Sequence, residues 1–455
     1  MKKSIYILIL ILTCSNISFG QHCFTDVYHN GSASSFALKS DGTLWGWGGT
    51  NLQLGTGINN SNYISTVTQI GTSTNWFKIA TGRSHTLALK EDGTLWAWGL
   101  NNHRQLGDGT SNNRNTPTQI GVDNDWMEIS AGEYFSLALK TDGSLWAWGQ
   151  NTNGQLGDGT FIIKSTPTLI SSTAIWSKID AGWTHSLAIR EDGTLWAWGY
   201  NDSGAVGNGE NIDVNIPTQT GTDNDWWHIS AGQRFSIALK SNGTLWAWGG
   251  NNLGQLCDGS INNKNTPQQI ASDSDWKYIN AGRYHTMAIK NDNTLWGWGS
   301  NSHEQLGATY YLTDPVQINY ADYWTTVSAG DTNTVGIDID GNTQIWGYNL
   351  FGELGNGTTG SFSGYNTFDC SSLSIGEENN PISLKVAPNP VKDIVSIIKP
   401  DTLHLQKIVL FDYLGKKIKD FEVSDIINLS DIPNGIYILQ IQTKTNLENF
   451  KLIKN

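Results

Sequence analysis

A tryptophan pair recurs along this chain at nearly fixed spacing. Its first member stands at Trp45, Trp96, Trp146, Trp196, Trp246, Trp296 and Trp346, in steps of 50 or 51 residues. Its second stands at Trp47, Trp98, Trp148, Trp198, Trp248 and Trp298, with Tyr348 in the last copy. Self-similarity at such a period marks a repeat architecture built from one supersecondary unit. Two tryptophans two residues apart face the same side of a strand. The residue between them is only Ala or Gly, so one side of the strand is bulky and the other small, which suits sheets stacked face to face.

One copy can be read through. Strand-like runs fall around Trp126–Ile129, Phe135–Lys140, Leu145–Trp148 and Pro167–Ile170. Asp142-Gly143 between two of them predicts a two-residue type I′ hairpin. Equivalent pairs recur at Asp41-Gly42, Asp92-Gly93, Asp192-Gly193, Asn242-Gly243 and Asp340-Gly341. Pro117, Pro167, Pro217, Pro267 and Pro315 open the fourth run, where a missing N–H is tolerated. Four strands per copy in seven copies predict an all-β, seven-bladed β-propeller over 21–370. The array has no polar capping repeats at either end, as a closed ring requires.

Ring closure has a consequence for the cysteines. Lys2, Lys3 and the apolar run from Ile5 to Leu12, ending at Gly20, have the order of a secretory signal peptide over 1–20. Lipid attachment at Cys14 is the rival reading. Cleavage after Gly20 leaves Cys23, Cys257 and Cys370 in an oxidising compartment, so one bridge can form. A ring brings the two ends together and predicts a Cys23–Cys370 disulfide, closing a loop of about 350 residues, worth about 4–5 kcal/mol in the chain-entropy model. Cys257 replaces a repeat glycine and reads as an inert buried thiol.

The pattern Trp-x-x-Ile-x-Ala-Gly-x-x-His-Ser-Leu-Ala-Leu, Asp-Gly, Leu-Trp-x-Trp-Gly-x-Asn, Gln-Leu-Gly-x-Gly resembles the regulator of chromosome condensation repeat across about 24–370. The resemblance implies a seven-bladed propeller whose blades are offset from the sequence repeats, so that both termini share one blade. The eukaryotic namesake acts on chromatin and a nuclear GTPase. A net charge of -13 argues against nucleic acid and anionic lipid as partners here. Secreted bacterial members of the fold include a beta-lactamase inhibitor that presents aromatic loop residues to its partner.

After Ser371 the composition changes. Residues 371–380 read as a polar linker, and 381–455 as a small β-sandwich with strands at Ile394–Ile398, Lys407–Asp412, Ile426–Leu429, Ile436–Gln442 and Phe450–Ile453. This segment resembles the type A sorting domain of the type IX secretion system of Bacteroidetes. The resemblance rests on Ala387-Pro388-Asn389-Pro390, Asp412-Tyr413-Leu414-Gly415-Lys416, Asn434-Gly435-Ile436-Tyr437 and the ending Lys451-Leu452-Ile453-Lys454-Asn455. It implies the type IX machinery as a partner and a secreted or outer-surface location.

No catalytic constellation, metal site or cofactor motif stands out, and no run of about 18 apolar residues follows the leader. His85, His185 and His285 share a repeat position with Phe36, Phe135 and Phe235, which makes it a packing position. Asp338-Ile339-Asp340-Gly341-Asn342 lacks the ligand spacing of a calcium loop. What varies between copies is the pair after Ala-Gly: Arg83-Ser84, Glu133-Tyr134, Trp183-Thr184, Gln233-Arg234, Arg283-Tyr284 and Asp331-Thr332. Variable loops on a constant scaffold are candidates for binding, and Trp, Tyr and Arg dominate binding hot spots. Arg83, Tyr134, Trp183, Arg234, Arg283 and Tyr284 are therefore the expected contact residues of a module for an extracellular protein or glycan. An extracellular polysaccharide lyase or hydrolase is the alternative.

Overall fold

The computed structural model describes residues 24–29, 33–58, 63–307, 312–318, 323–368, 385–387, 391–399, 404–412, 416–443 and 447–454. The expected leader over 1–20, Cys23, Cys370, the expected linker over 371–380 and Pro388, Asn389 and Pro390 lie outside the described residues. Two compact units divide the chain, 1–373 and 374–455.

The first unit contains seven four-stranded antiparallel sheets, each made of four consecutive strands in spatial order. The blades span 26–69, 76–119, 126–171, 176–219, 226–270, 276–318 and 324–367. The third is typical: Trp126–Ala131, Phe135–Lys140, Leu145–Gly149 and Lys164–Ser171. The expected offset does not occur, because each terminal blade is complete by itself. Packing closes the ring instead. The first strand of blade one lies against the strands Trp324–Ala329 and Asn333–Asp338 of blade seven. His29 N–H donates to Ser328 Oγ at 2.9 Å, and the Ser328 hydroxyl donates to His29 O at 3.1 Å. Phe24 and Phe368, close in sequence to the two outlying cysteines, meet edge to face at 6.4 Å.

The second tryptophan of each pair holds neighbouring blades together. Trp148 of blade three is fully buried and donates its indole N–H to Gln105 O of blade two at 2.9 Å. Trp198, Trp248, Trp298 and Trp346 make the same bond to Gln155, Ala205, Gln255 and Gln305. At the seam Trp47 makes it to Glu353 O at 2.8 Å, so closure repeats the internal rule. The small residue between the tryptophans faces the next blade: Ala97 lies in one cluster with Trp126, Ile129 and Trp148.

The first tryptophan has a different anchor. Trp146 donates to Ser144 Oγ at 2.9 Å, and that hydroxyl donates to Asp142 Oδ1 at 2.6 Å. The turn is not type I′. Gly143 has φ 78°, whereas Asp142 is not in the positive-φ region. Gly143 N–H bonds Lys140 O at 2.9 Å and Lys140 N–H bonds Ser144 O at 3.2 Å. This is a type I turn followed by a left-handed bulge glycine, with the Asp carboxylate capping the turn.

The last repeat is also out of register with the sequence reading. Trp346 pairs with Thr334 as Trp298 pairs with Thr286, while Gln344 pairs with Gly336 as Trp296 pairs with Ala288. Trp346 is thus the second tryptophan of its blade, 48 residues after Trp298, and Gln344 replaces the first. Phe36 is likewise not equivalent to His85. Ser34 pairs with Gly48 as His85 pairs with Gly99.

The second unit has a three-stranded sheet (385–387, 394–398, 426–428) and a four-stranded sheet (417–421, 405–412, 435–443, 447–454) around one core. Val395, Ile408, Leu410, Leu439 and Leu452 fill that core. Tyr437 donates to Pro433 O at 2.9 Å, and Lys454, mostly buried, pairs with Asp393 at 3.2 Å. Gly435 opens the long strand Gly435–Thr443, and Lys451 lies in the final strand Leu447–Lys454.

The blade-to-blade role of the second tryptophan is testable by denaturation. Trp148→Ala is expected to cost about 3–5 kcal/mol. Trp227, 39% exposed on a first strand, is expected to tolerate Ala within about 0.5 kcal/mol.

Candidate functional site

Each first strand runs into the loop that carries the variable pair, and each third strand into the loop that reads Gln-Leu-Gly in blades one, two, three and six. Both loops reach the same end of the ring. Leu100 N–H of one, for example, bonds Ser84 O of the other at 2.9 Å. The Asp-Gly turns and blade-to-blade connections form the opposite end, where Trp126 N–H bonds Gly93 O at 3.1 Å.

The variable loops are chained around the axis by backbone hydrogen bonds. Arg83 N–H donates to Gly132 O, Glu133 to Trp183 O, Trp183 to Gly232 O, Gln233 to Arg283 O and Arg283 to Gly330 O, at 2.9–3.3 Å. This close approach explains the glycine of each Ala-Gly. A Cβ on Gly132 would lie 2.6 Å from Gly182 O and 2.1 Å from its own blade's Phe135 ring.

At the centre of this end is a hollow of about 360 Å³. Arg83, Trp183, Arg234 and Arg283 line it together with Glu133, Asn153, Thr184, Tyr200 and Gln233. Four of the six expected contact residues therefore meet at one mouth, and the other two adjoin it. Tyr134 accepts a hydrogen bond from Arg83 Nη1 at 3.0 Å, and Tyr284 lies against the Arg283 guanidinium at 4.8 Å. The result is a stacked series across the mouth: His103 on Tyr134, Tyr134 beside Arg83, Arg83 at 5.2 Å and Arg283 at 4.2 Å from the Trp183 ring.

Trp183 does not stand as an open anchor. It is 9% exposed, because guanidinium groups from blades two and six approach its ring. It is a platform that positions arginines through cation–π contact. The arginines of the mouth are also tied to carboxylates: Arg83 to Glu133, Arg283 to Asp331 at 3.0 Å, and Arg234, over the Tyr200 ring, to Asp202 at 3.2 Å. Burial raises the Asp331 carboxyl above the usual range, against the pull of Arg283 and Arg83. Tyr200 and Asn153 were not anticipated, yet their positions also vary between copies: Leu100, Gln150, Tyr200, Gly250 and Ser300 at one, His103, Asn153, Ser203, Leu253 and His303 at the other.

The repeat histidines lie beneath this surface. Nε2 of His85, His185 and His285 meets the hydroxyl of Ser136, Ser236 and Thr334 in the next blade at 2.9–3.0 Å. Phe135, Phe235 and Asn333 occupy the same position elsewhere. Asp338 spends its carboxylate on its own hairpin, accepting from Asp340 N–H, Asn342 N–H and Gln344 Nε2. Among the described residues no group of three or more His, Cys, Asp or Glu could hold a metal ion. No described helix is long and apolar enough to cross a membrane. Cys257 is a buried free thiol at φ 60°, and burial pushes its pKa up.

These features define a repeat-built closed propeller with one elaborated mouth. The RCC1-like domain model matches 17–227, the regulator of chromosome condensation (RCC1) repeat model matches 242–289 and 292–337, and the secretion system C-terminal sorting domain model matches 385–455. The chain belongs to the RCC1 repeat family and ends in a secretion sorting domain. A Caenorhabditis elegans homolog of the X-linked retinitis pigmentosa GTPase regulator is 35% identical over 78 residues, 17% of this chain and 6% of that protein. Prp20p from Saccharomyces cerevisiae, a structure described with its binding to Gsp1p and histones, is 21% identical with TM-score 0.65, covering 76% of this chain and 89% of that one. Human WBSCR16 is 19% identical with TM-score 0.61, covering 67% and 86%. At these identities the structural likeness concerns the fold.

The buried histidines generate a pH prediction. Burial lowers His85 and His285 to about 3 and His185 to about 4, from an ordinary 6.5. The unfolded chain then binds more protons than the folded one across that window, so this contribution to stability falls as pH drops below 6.5. Asp180, raised to about 6 by burial, acts with the opposite sign. His85→Phe, which copies blade three, is expected to flatten the rise of unfolding free energy with pH between about pH 4.5 and 6, read from denaturation at each pH.

Proposed function

We propose that this protein is a secreted binding module that holds an extracellular protein or glycan partner at the mouth of its propeller. The observation that carries this reading is the convergence of variable loop residues around one hollow, while the rest of each repeat is committed to packing. The sorting domain supports export through the secretion machinery. The mouth also favours binding over catalysis. Its arginines are paired with carboxylates and stacked on rings, an arrangement that fixes donors in place and suits recognition.

The test compares full-length wild type with an Arg234→Ala/Tyr284→Ala double variant for retention on immobilised cell-surface glycans and proteins. Val122→Ser, at a 90% exposed site on the opposite end, serves as control. The double variant is expected to bind roughly tenfold more weakly or worse, and the control to match wild type. Equal binding by the double variant and wild type would show that another surface is used.

A further inference from the structure

The chemistry of the mouth narrows what it can hold. The chain as a whole has 28 Lys and Arg against 41 Asp and Glu. Three arginines and one carboxylate, Glu133, line the hollow, and Asp331 and Asp202 beside it pair with Arg283 and Arg234, so arginines and carboxylates balance there. At the opposite end carboxylates outnumber their partners: Asp123, Asp125, Asp223, Asp225, Asp273 and Asp275 surround the turns and pair two to one with Lys140, Lys240 and Lys290. The mouth thus lacks the excess of carboxylates found at the opposite end, and what it offers an anion is local guanidinium donors and not net charge.

Two of the guanidiniums keep hydrogen-bonding capacity. Arg283 gives Nη1 to both oxygens of Asp331, and its Nε–H is buried without an acceptor. Arg234 contacts Asp202 only through Nη1 and keeps half of its side chain exposed. Arginine presents a planar fork that matches a carboxylate in two-point contact, which an ammonium cannot do. Between the arginines lie Asn153, Thr184 and Gln233, groups that both donate and accept. Such groups match hydroxyls, each of which also donates and accepts. Apart from the Trp183 and Tyr200 rings the lining is polar, so an apolar protein anchor would have little to bury.

Building on the binding reading above, we infer that the mouth takes a carboxylate-bearing saccharide, a uronate unit within a chain. The carboxylate docks on the Arg234 and Arg283 side of the hollow. The ring hydroxyls bond to the amides and the Thr184 hydroxyl, and the sugar face lies along Tyr200. A hollow of about 360 Å³ lies within the size range of small-ligand sites.

Calorimetric titration of the full-length protein tests this. The probes are a short oligogalacturonate, the same oligosaccharide with its carboxyls reduced to alcohols, and a polyglutamate peptide of similar charge. Oligogalacturonate is expected to bind, more weakly as salt rises. The reduced oligosaccharide and the peptide are each expected to bind roughly tenfold more weakly or worse. Arg234→Ala, at a half-exposed side chain outside the core, is expected to lower uronate affinity by a similar factor, and Arg234→Lys to recover only part of it. Equal or tighter binding of the reduced sugar overturns the carboxylate requirement. Tighter binding of polyglutamate overturns the saccharide class, and no binding of oligogalacturonate overturns the inference itself. Where the reduced sugar or the peptide binds as tightly as the uronate, its loss in Arg234→Ala keeps the mouth as the binding face while refuting its uronate specificity.

Discussion

Everything at the mouth depends on one hydrogen bond made repeatedly: a buried indole N–H donated to a backbone carbonyl of the preceding blade. Trp148 makes it to Gln105, and Trp47 makes it to Glu353 across the seam. The bond sits inside a dry contact where the bulky side of one sheet meets the small side of its neighbour. A buried donor left without its partner would cost about 1–3 kcal/mol, so the six tryptophans that make the bond fix both spacing and angle between blades. Trp98, buried between blades one and two, holds its place by packing alone. The ring closes by the same contact that builds it, with no strand shared between its ends.

Much of this was legible in the sequence because packing imposes period and pattern. The recurring Trp-Ala-Trp gave away the alternation of large and small faces, and the strands of blade three fall within a few residues of their expected bounds. The errors have physical causes. The sixth repeat is shorter, with 48 residues from Trp276 to Trp324 against 50 from Trp226 to Trp276, and Gln344 occupies the place of a tryptophan, so matching by residue type alone aligned Trp346 with the wrong member of the pair. Asp-Gly identified a hairpin but not its type, because the Asp carboxylate stabilises a bulged turn that needs positive φ only at glycine.

The candidate site was legible in its residues and not in its arrangement. Variation after each Ala-Gly pointed to the loops that meet at the axis. The burial of Trp183 was hidden, because Arg83 and Arg283 lie 100 residues away in either direction and only the ring brings them onto its faces. Tyr200 and Asn153 come from the other loop family, whose variation is masked by the recurring Gln-Leu-Gly pattern. The local charge balance was equally invisible to net charge, which averages an end with excess carboxylates and a mouth where arginines and carboxylates pair.

The mouth is a prebuilt surface, held by bonds between blades, and not a set of free loops. Hydrogen exchange of the full-length protein measures this directly. Amides of Arg83, Glu133, Trp183, Gln233 and Arg283 are expected to exchange nearly as slowly as those of the second strands beneath them, since each is bonded to the next blade. Exchange as fast as that of the exposed connections around Val122 and Gly221 would contradict the account.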